Sequence, residues 1–380
     1  MIPIWFSGAA YLSANPDVAA DPYYGQNPWK HFKSTGYIER RTWKGDPRGG
    51  EIVIQPTEPE PEPDPTFDVL VPEIQGQSFM SMERLSNGQI LVGTYSFPAS
   101  DSYIYAVGYA DPIAKLDVGE SVFRIVEDNG YVYVACEYEE IWRSPISDSL
   151  SGYDFKFYKK LKAGKQHGAF DVKRLLGQLV FVGGGEIYVD GSGTVKEWGK
   201  EDYYVKFAFQ CQNTAFVGGY SYKNKCAGWL DSWDAQTWAW KTIGPKYSRF
   251  MQAAVSIDQQ YIYLVGTNNY RDEHNHNAAT LWLYDTLTGS LAPLWNFPGF
   301  DYSSCIKITE DGRIFLGLTK GWRSQEPGAS LVEWDGKKPH VVDKSDYAEL
   351  RELAFKDKKI YYTLRTDRVG GAVCEISGVI

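Results

Sequence analysis

The chain has 380 residues, 43% of them apolar and 23% charged, with a formal net charge of −9. That length and apolar share allow a sizeable buried core, as several domains or as one large all-β domain. The acidic balance argues against non-specific nucleic-acid binding, which needs a basic surface to displace counterions, and against docking on anionic lipid.

Residues 1–54 differ in character from the rest. Ser13, Asn15 and Pro16 carry helix-start chemistry, PWKHFKSTG (28–36) has helix-like spacing, and Gly36 is placed as a helix C-cap. The opening MIPIWFSGAAYLSANPD lacks the basic and continuous apolar segments of a secretory signal, and no apolar run reaches the roughly 18 residues of a membrane span. The stretch YLSANPDVAADPYYGQNPWKHFKSTGYIERR (11–41) resembles a short helical module of bacteriophage virion proteins and large bacterial secreted proteins. That module reads approximately Y-L-x-x-N-P-D-V, then P-x-x-H-[YF], then G-x-x-E-G-R. Tyr11, Leu12, Asn15, Pro16, Asp17 and Val18 match the first part, Pro28, His31 and Phe32 the second, and Gly36, Glu39 and Arg41 the third. Arg40 stands where the module has glycine. The resemblance covers about a tenth of the chain and names no activity. It implies an attachment domain of a virion protein, with Tyr11, Leu12, Asp17, Trp29, His31 and Phe32 as attachment residues. Other virion subunits are then the partners, and the extracellular particle is the location.

Next comes PTEPEPEPDPT (56–66), in which Pro alternates with acid. Pro removes backbone donors and like charges repel, so residues 55–66 are expected to form an extended, semi-rigid spacer.

From residue 67 on, one phrase recurs seven times as strand, tight turn, strand. The copies are RLSNGQILVGT (84–94), RIVEDNGYVYVAC (124–136), VKRLLGQLVFVGG (172–184), FAFQCQNTAFVGG (207–219), VSIDQQYIYLVGT (255–267), ITEDGRIFLGL (308–318) and LAFKDKKIYYTL (353–364). Their turns centre on Gly88, Gly130, Gly177, Asn213, Gln259, Gly312 and Lys358, with successive gaps of 42, 47, 36, 46, 53 and 46 residues. A period of about 40–50 residues carrying four strands is the signature of a propeller blade. The expected fold is therefore all-β, a seven-bladed β-propeller over residues 67–380 with a small N-terminal helical module. Small residues after the second strand (Gly93, Ala135, Gly183, Gly218, Gly266 and Gly317) are expected to let neighbouring blades approach closely. The last blade lacks a fourth strand, and FDVLVPEI (67–74) belongs to no other blade, so this segment is expected to close the ring. Cys136, Cys211, Cys226, Cys305 and Cys374 are odd in number and show no CxxC spacing, which favours buried free thiols.

If the first strand of each blade is innermost, the second-to-third connections and the links between blades share one end of the ring. Those loops are long and rich in aromatic and charged residues, while the first-to-second turns are short and plain. Recognition therefore belongs at the decorated end. The candidate ligand-binding residues are Tyr204, Tyr220, Tyr222, Tyr247, Tyr270, Arg271, Trp322, Arg323 and His167. Flat aromatics suit sugar rings, whose apolar C–H faces stack on them at little entropic cost. His274 and His276 with Asp272 and Glu273 could ligate a metal, but H-x-H on a loop fits a solvated segment better. His167 near Lys165 could be a general base. Glu137, Glu139 and Glu140 could pair with Asp202 or Asp301 as glycosidase carboxylates, against a reading as a wet rim. Sialidase-type S-x-D-x-G-x-x-W boxes, WD40 pairs and kelch glycines do not occur.

The expected function is a non-enzymatic virion tail or spike component whose propeller binds a host-surface glycan or protein. A carbohydrate-active propeller enzyme, a lyase or hydrolase, is the alternative, and a purely structural virion protein the third. No catalytic residue, metal or cofactor is assigned.

Overall fold

The structure is a computed structural model that describes residues 8–23, 25–31, 67–71, 77–96, 101–117, 121–161, 168–197, 203–221, 227–234, 239–242, 248–268, 278–320, 328–365 and 371–379. Among the described residues, three α-helices and the seven inner strands fall in separate compact units.

The helices are Gly8–Ala14, Pro16–Ala20 and Pro28–His31, and they pack on one another. Pro16 opens the second helix, where a missing N–H costs nothing. Asn15 occupies the cap position, yet its side chain turns back and donates to the Tyr11 carbonyl at 2.8 Å. The Tyr11 hydroxyl and His31 Nδ1 lie 3.0 Å apart, and both side chains are buried. Leu12 is half-buried, Asp17 is exposed, and Trp29 lies in the third helix. Phe32, Gly36, Glu39, Arg41 and the spacer 55–66 lie outside the described residues.

The strands form seven four-stranded antiparallel sheets, the blades of a β-propeller. The inner strands of blades 1 to 7 are Gln77–Arg84, Val122–Asp128, Ala169–Leu175, Tyr203–Cys211, Ser248–Val255, Tyr302–Ile308 and Glu349–Lys356. Each touches the inner strand on either side, and the seventh returns to the first. Second strands such as Ile314–Thr319 are buried throughout, because neighbouring blades cover both faces, and they read as continuous apolar runs. Outer strands such as Lys156–Lys160 are charged and largely exposed, which blunts an edge that would otherwise pair with another chain.

The turns between first and second strands explain the recurring phrase. Gly88, Gly130, Gly177 and Gly312 have φ of 84°, 75°, 81° and 90°, where a Cβ is disfavoured. Gln259 and Lys358 adopt φ of 56° and 61°, but in the fourth blade the left-handed residue is Gln212, not Asn213. Closure follows the expected route. Phe67–Val71 is the fourth strand of blade 7, antiparallel to Gly371–Ser377 with Phe67 opposite Ile376 and Val71 opposite Val373. The strand is described over Phe67–Val71, and residues 72–74 lie outside the described residues.

The small residues do two different jobs. A Cβ on Gly93 would fall on Val122 of blade 2, and one on Gly317 on Leu350 of blade 7, as expected for close approach of blades. At Gly183, Gly218 and Gly266 the space is taken by the inner strand of the same blade. Cys136, Cys211, Cys305 and Cys374 are buried free thiols, and Cys226 lies outside the described residues.

One feature is common to all seven blades. Every inner strand carries a register shift against its second strand near its beginning, between Phe79 and Ser81, Val122 and Arg124, Ala169 and Asp171, Val205 and Phe207, Phe250 and Gln252, Ser303 and Cys305, and Leu350 and Glu352. A bulge of this kind leaves one residue without a ladder partner and re-aims its side chain.

Candidate ligand site at the mouth of the ring

The unpaired residues are Met80, Phe123, Phe170, Lys206, Met251, Ser304 and Arg351. Each lies near the start of its strand, so all seven fall at the end of the ring that carries the links between blades. One residue further along sit Ser81, Arg124, Asp171, Phe207, Gln252, Cys305 and Glu352. These two rings behave differently.

Ser81, Arg124, Asp171, Gln252 and Glu352 of the second ring form a paired polar plug. Arg124 forms an ion pair with Glu352, and its Nε lies 3.5 Å from Asp171 Oδ1. Gln252 Nε2 donates to Glu352 at 3.3 Å. Burial works against the Arg124 charge, but Glu352 and Asp171 outweigh it and raise its pKa. Several of these residues also stitch blade to blade. The Ala208 amide donates to Asp171 Oδ2 at 3.1 Å, the Ile306 amide to Gln252 Oε1 at 2.6 Å, and Ser81 Oγ to the Val122 carbonyl at 3.0 Å. Buried charges persist only when paired and hydrogen-bonded in this way.

The first ring and its surroundings form a cationic, aromatic mouth. Lys206 Nζ sits 3.4 Å from the Phe170 ring centre, with Tyr204, Tyr220 and Phe123 at 5.4, 5.7 and 5.9 Å. Phe123 packs on Phe170 at 4.9 Å, and Tyr204 stacks on Tyr220 at 5.1 Å. The Arg249 guanidinium lies 5.1 Å from the Tyr220 ring. Among the described residues no carboxylate is in ion-pair contact with Lys206. Burial, with Arg351 and Arg249 adding repulsion, lowers its pKa to about 7. Cation–π contacts stabilise the charge that remains.

Beside it, Glu349 forms an ion pair with Arg351 and lies 3.7 Å from Arg365 Nε. Burial opposes its charge, yet Arg351 and Arg365 hold its carboxyl below the usual value. Burial pushes the Tyr302 phenol up. The Arg365 guanidinium stands 4.2 Å from the Tyr95 ring, and Nη1 lies 3.2 Å from Met80 Sδ.

Of the residues chosen from sequence, Tyr204 and Tyr220 meet at this mouth. Both are strand residues rather than loop residues, paired across the ladder, and Tyr220 is buried. Tyr222, Tyr247, Tyr270, Arg271, Trp322, Arg323, His167, His274, His276 and Asp202 lie outside the described residues. Glu140 accepts from Trp142 and Lys160, at 3.3 and 3.4 Å, and burial raises the Asp301 pKa. Sequence reasoning missed Lys206, Arg249, Arg351 and Arg365, because a lone cation in a strand reads as an exposed edge position. The signal was available in one form only. Seven or eight residues before each turn centre, the chain carries Lys206 and Arg351 where the other blades carry Met, Phe or Ser.

The opposite end is less plain than its short turns suggest. Between blades 2 and 3 a groove of about 530 Å³ is lined by Asn129, Tyr131, Tyr133, Arg143, Tyr158 and Arg174, among others. Arg143 lies between the Tyr131 and Tyr158 rings at 4.8 and 4.0 Å.

No protein-family model matches the chain, and no curated protein matches it in sequence. Among solved structures it is similar to a catalytically inactive variant of virginiamycin B lyase from Staphylococcus aureus with quinupristin. The TM-score is 0.58 at 11% identity, over 83% of this chain and 100% of that one. It is also similar to a protein from Lactobacillus plantarum, with a TM-score of 0.51 at 13% identity over 71% of this chain and 86% of that one. At such identity the likeness shows the fold alone. The chain is a seven-bladed β-propeller with short N-terminal helices.

Proposed function

We propose that the propeller is a binding head for a host-surface glycan, that it recognises this ligand at the Lys206 mouth, and that the helical module attaches it to a virion. The observation that carries the binding reading is the convergence of Lys206, Arg249 and Arg351 among aromatic rings, beside a plug whose own charges are paired. Aromatic surface next to polar donors suits sugars, which present apolar faces and hydroxyl edges. The virion reading is supported by the resemblance of residues 11–41. A screen of the full chain against bacterial surface polysaccharides tests the binding reading, with wild type retained and Lys206→Met weakened. Equal binding by both would place recognition elsewhere. Particles assembled with residues 1–54 deleted should lack the propeller, and normal incorporation would overturn the attachment reading.

One observation favours a second reading. An amine that is half neutral near pH 7 can act as a general base. A polysaccharide lyase at the same mouth would release unsaturated products from the bound glycan, whereas a binding head would leave it intact.

A further inference from the structure

Four strands from three blades bring their charged residues to the mouth. Lys206 comes from blade 4, Arg249 from blade 5, Arg351 from the inner strand of blade 7 and Arg365 from its second strand. The fourth blade adds Tyr204 and Tyr220, and blades 2 and 3 add Phe123 and Phe170. Glu349 lies against Arg351 and Arg365, on the blade 7 side. Among the described residues, the groups that act electrostatically on Lys206 are the Arg351 and Arg249 guanidinium ions. Their repulsion adds to burial in lowering the Lys206 pKa, and an anion bound beside Lys206 would offset it.

We infer that the mouth is selective for acidic sugars, with the anionic substituent received by Lys206 and the Arg249 and Arg351 guanidinium groups while the sugar ring packs on the neighbouring aromatics. The inference rests on the glycan-binding reading for the sugar and on the cation geometry for the charge. Planar guanidinium forks match carboxylate, sulfate and phosphate oxygens alike, so the shared chemistry is a singly attached oxyanion.

An anion beside Lys206 favours its charged form, so binding above pH 7 draws a proton onto that amine. Affinity should then fall as the pH rises above about 7, where Lys206 is half neutral when free.

The test is titration calorimetry on the full chain with three probes. The first is a glucuronate-containing oligosaccharide, the second the same oligosaccharide with its carboxyls reduced to alcohols, and the third inorganic sulfate. Measurements at pH 7.5 in buffers of different ionisation enthalpy report proton uptake. The acidic oligosaccharide should bind at least tenfold more tightly than its reduced form and take up protons. Lys206→Met should lose most of that preference. Lys206→Arg should keep the preference but lose the proton uptake, because arginine stays charged. Equal binding of acidic and reduced forms overturns the inference while leaving the glycan reading intact. Sulfate bound at Lys206 with neither oligosaccharide bound keeps the oxyanion site and overturns the glycan reading. Binding of none of the three overturns both, and a preference that survives Lys206→Met places the anion elsewhere.

Discussion

Two rings of residues, adjacent in sequence, have opposite electrostatic character. At five of the seven bulges the unpaired residue and its successor form contrasting pairs: Phe123 and Arg124, Phe170 and Asp171, Lys206 and Phe207, Met251 and Gln252, Arg351 and Glu352. In the plug Arg124 has Glu352 and Asp171, and side chains bond to the backbone of the next blade. At the mouth Lys206 has rings and other cations. The lesson is that a single bulge separates two tasks within one residue step. Arg124 is answered by carboxylates inside the protein, whereas Lys206, in the neighbouring ring, rests on aromatic rings with no carboxylate in ion-pair contact among the described residues.

The plug depends first on closure, since its side chains come from opposite sides of a complete ring. Deleting residues 67–74 removes the outer strand of blade 7 and its ladder with Gly371–Ser377. The melting temperature should fall by on the order of 10 °C or more, whereas deleting residues 1–54 should leave it nearly unchanged. Comparable melting points for the two truncations, read by calorimetry, would contradict closure by this strand.

Next in size is the plug itself. Arg124→Ala leaves Glu352 and Asp171 buried without their cation. Removing one partner of a buried ion pair typically costs about 3–5 kcal/mol. Lys206→Ala, which leaves no carboxylate stranded, should cost under about 1 kcal/mol. Urea denaturation of both variants checks the contrast, and equal losses would erase it.

A smaller effect is expected where blades 1 and 2 approach most closely. Gly93 lies opposite Ser81, and an added methyl would meet Val122 and the Ser81 hydroxyl. Overpacking of this kind costs about 1–3 kcal/mol. A neutral Gly93→Ala in the same urea assay would show that the blades can spread.

The smallest effect is a pH slope. The folded pKa of Lys206, about 7, lies below the ordinary lysine value of 10.5. Between those values the unfolded chain binds more protons, so this group makes stability rise with pH across that window. Buried thiols such as Cys136 and Cys305 are pushed up and act in the opposite sense as the pH approaches the thiol range near 8.5. Wild type should therefore gain stability from about pH 7 to about 8.5 relative to Lys206→Met. Parallel curves for the two proteins would count against the lowered amine.

Much of the ring was legible in sequence because turns need particular backbone angles. Gly88, Gly130, Gly177 and Gly312 punctuate the repeats for that reason, and Phe67–Val71 was legible as the strand left over. The bulges were not, because the residue they free can be Met, Phe, Lys, Ser or Arg, and no side chain is required there. Hence Asp171, Gln252 and Glu352 read as ordinary strand polar residues although they are buried. Tyr204 and Tyr220 were legible as aromatics at the right end, but their stacking on one another depends on cross-strand register. Lys206 and Arg351 come from inner strands about 145 residues apart, a proximity that only ring closure creates.

The most direct measurement is an NMR titration of the lysine side chains, with Lys206 assigned by its loss in Lys206→Arg. The account predicts a midpoint near 7 for Lys206 in the free protein, and a clear upward move when the glucuronate-containing oligosaccharide is bound. A midpoint at the ordinary lysine value of 10.5 in both states would contradict the frustrated cation at the mouth, and with it the division of labour between the two rings.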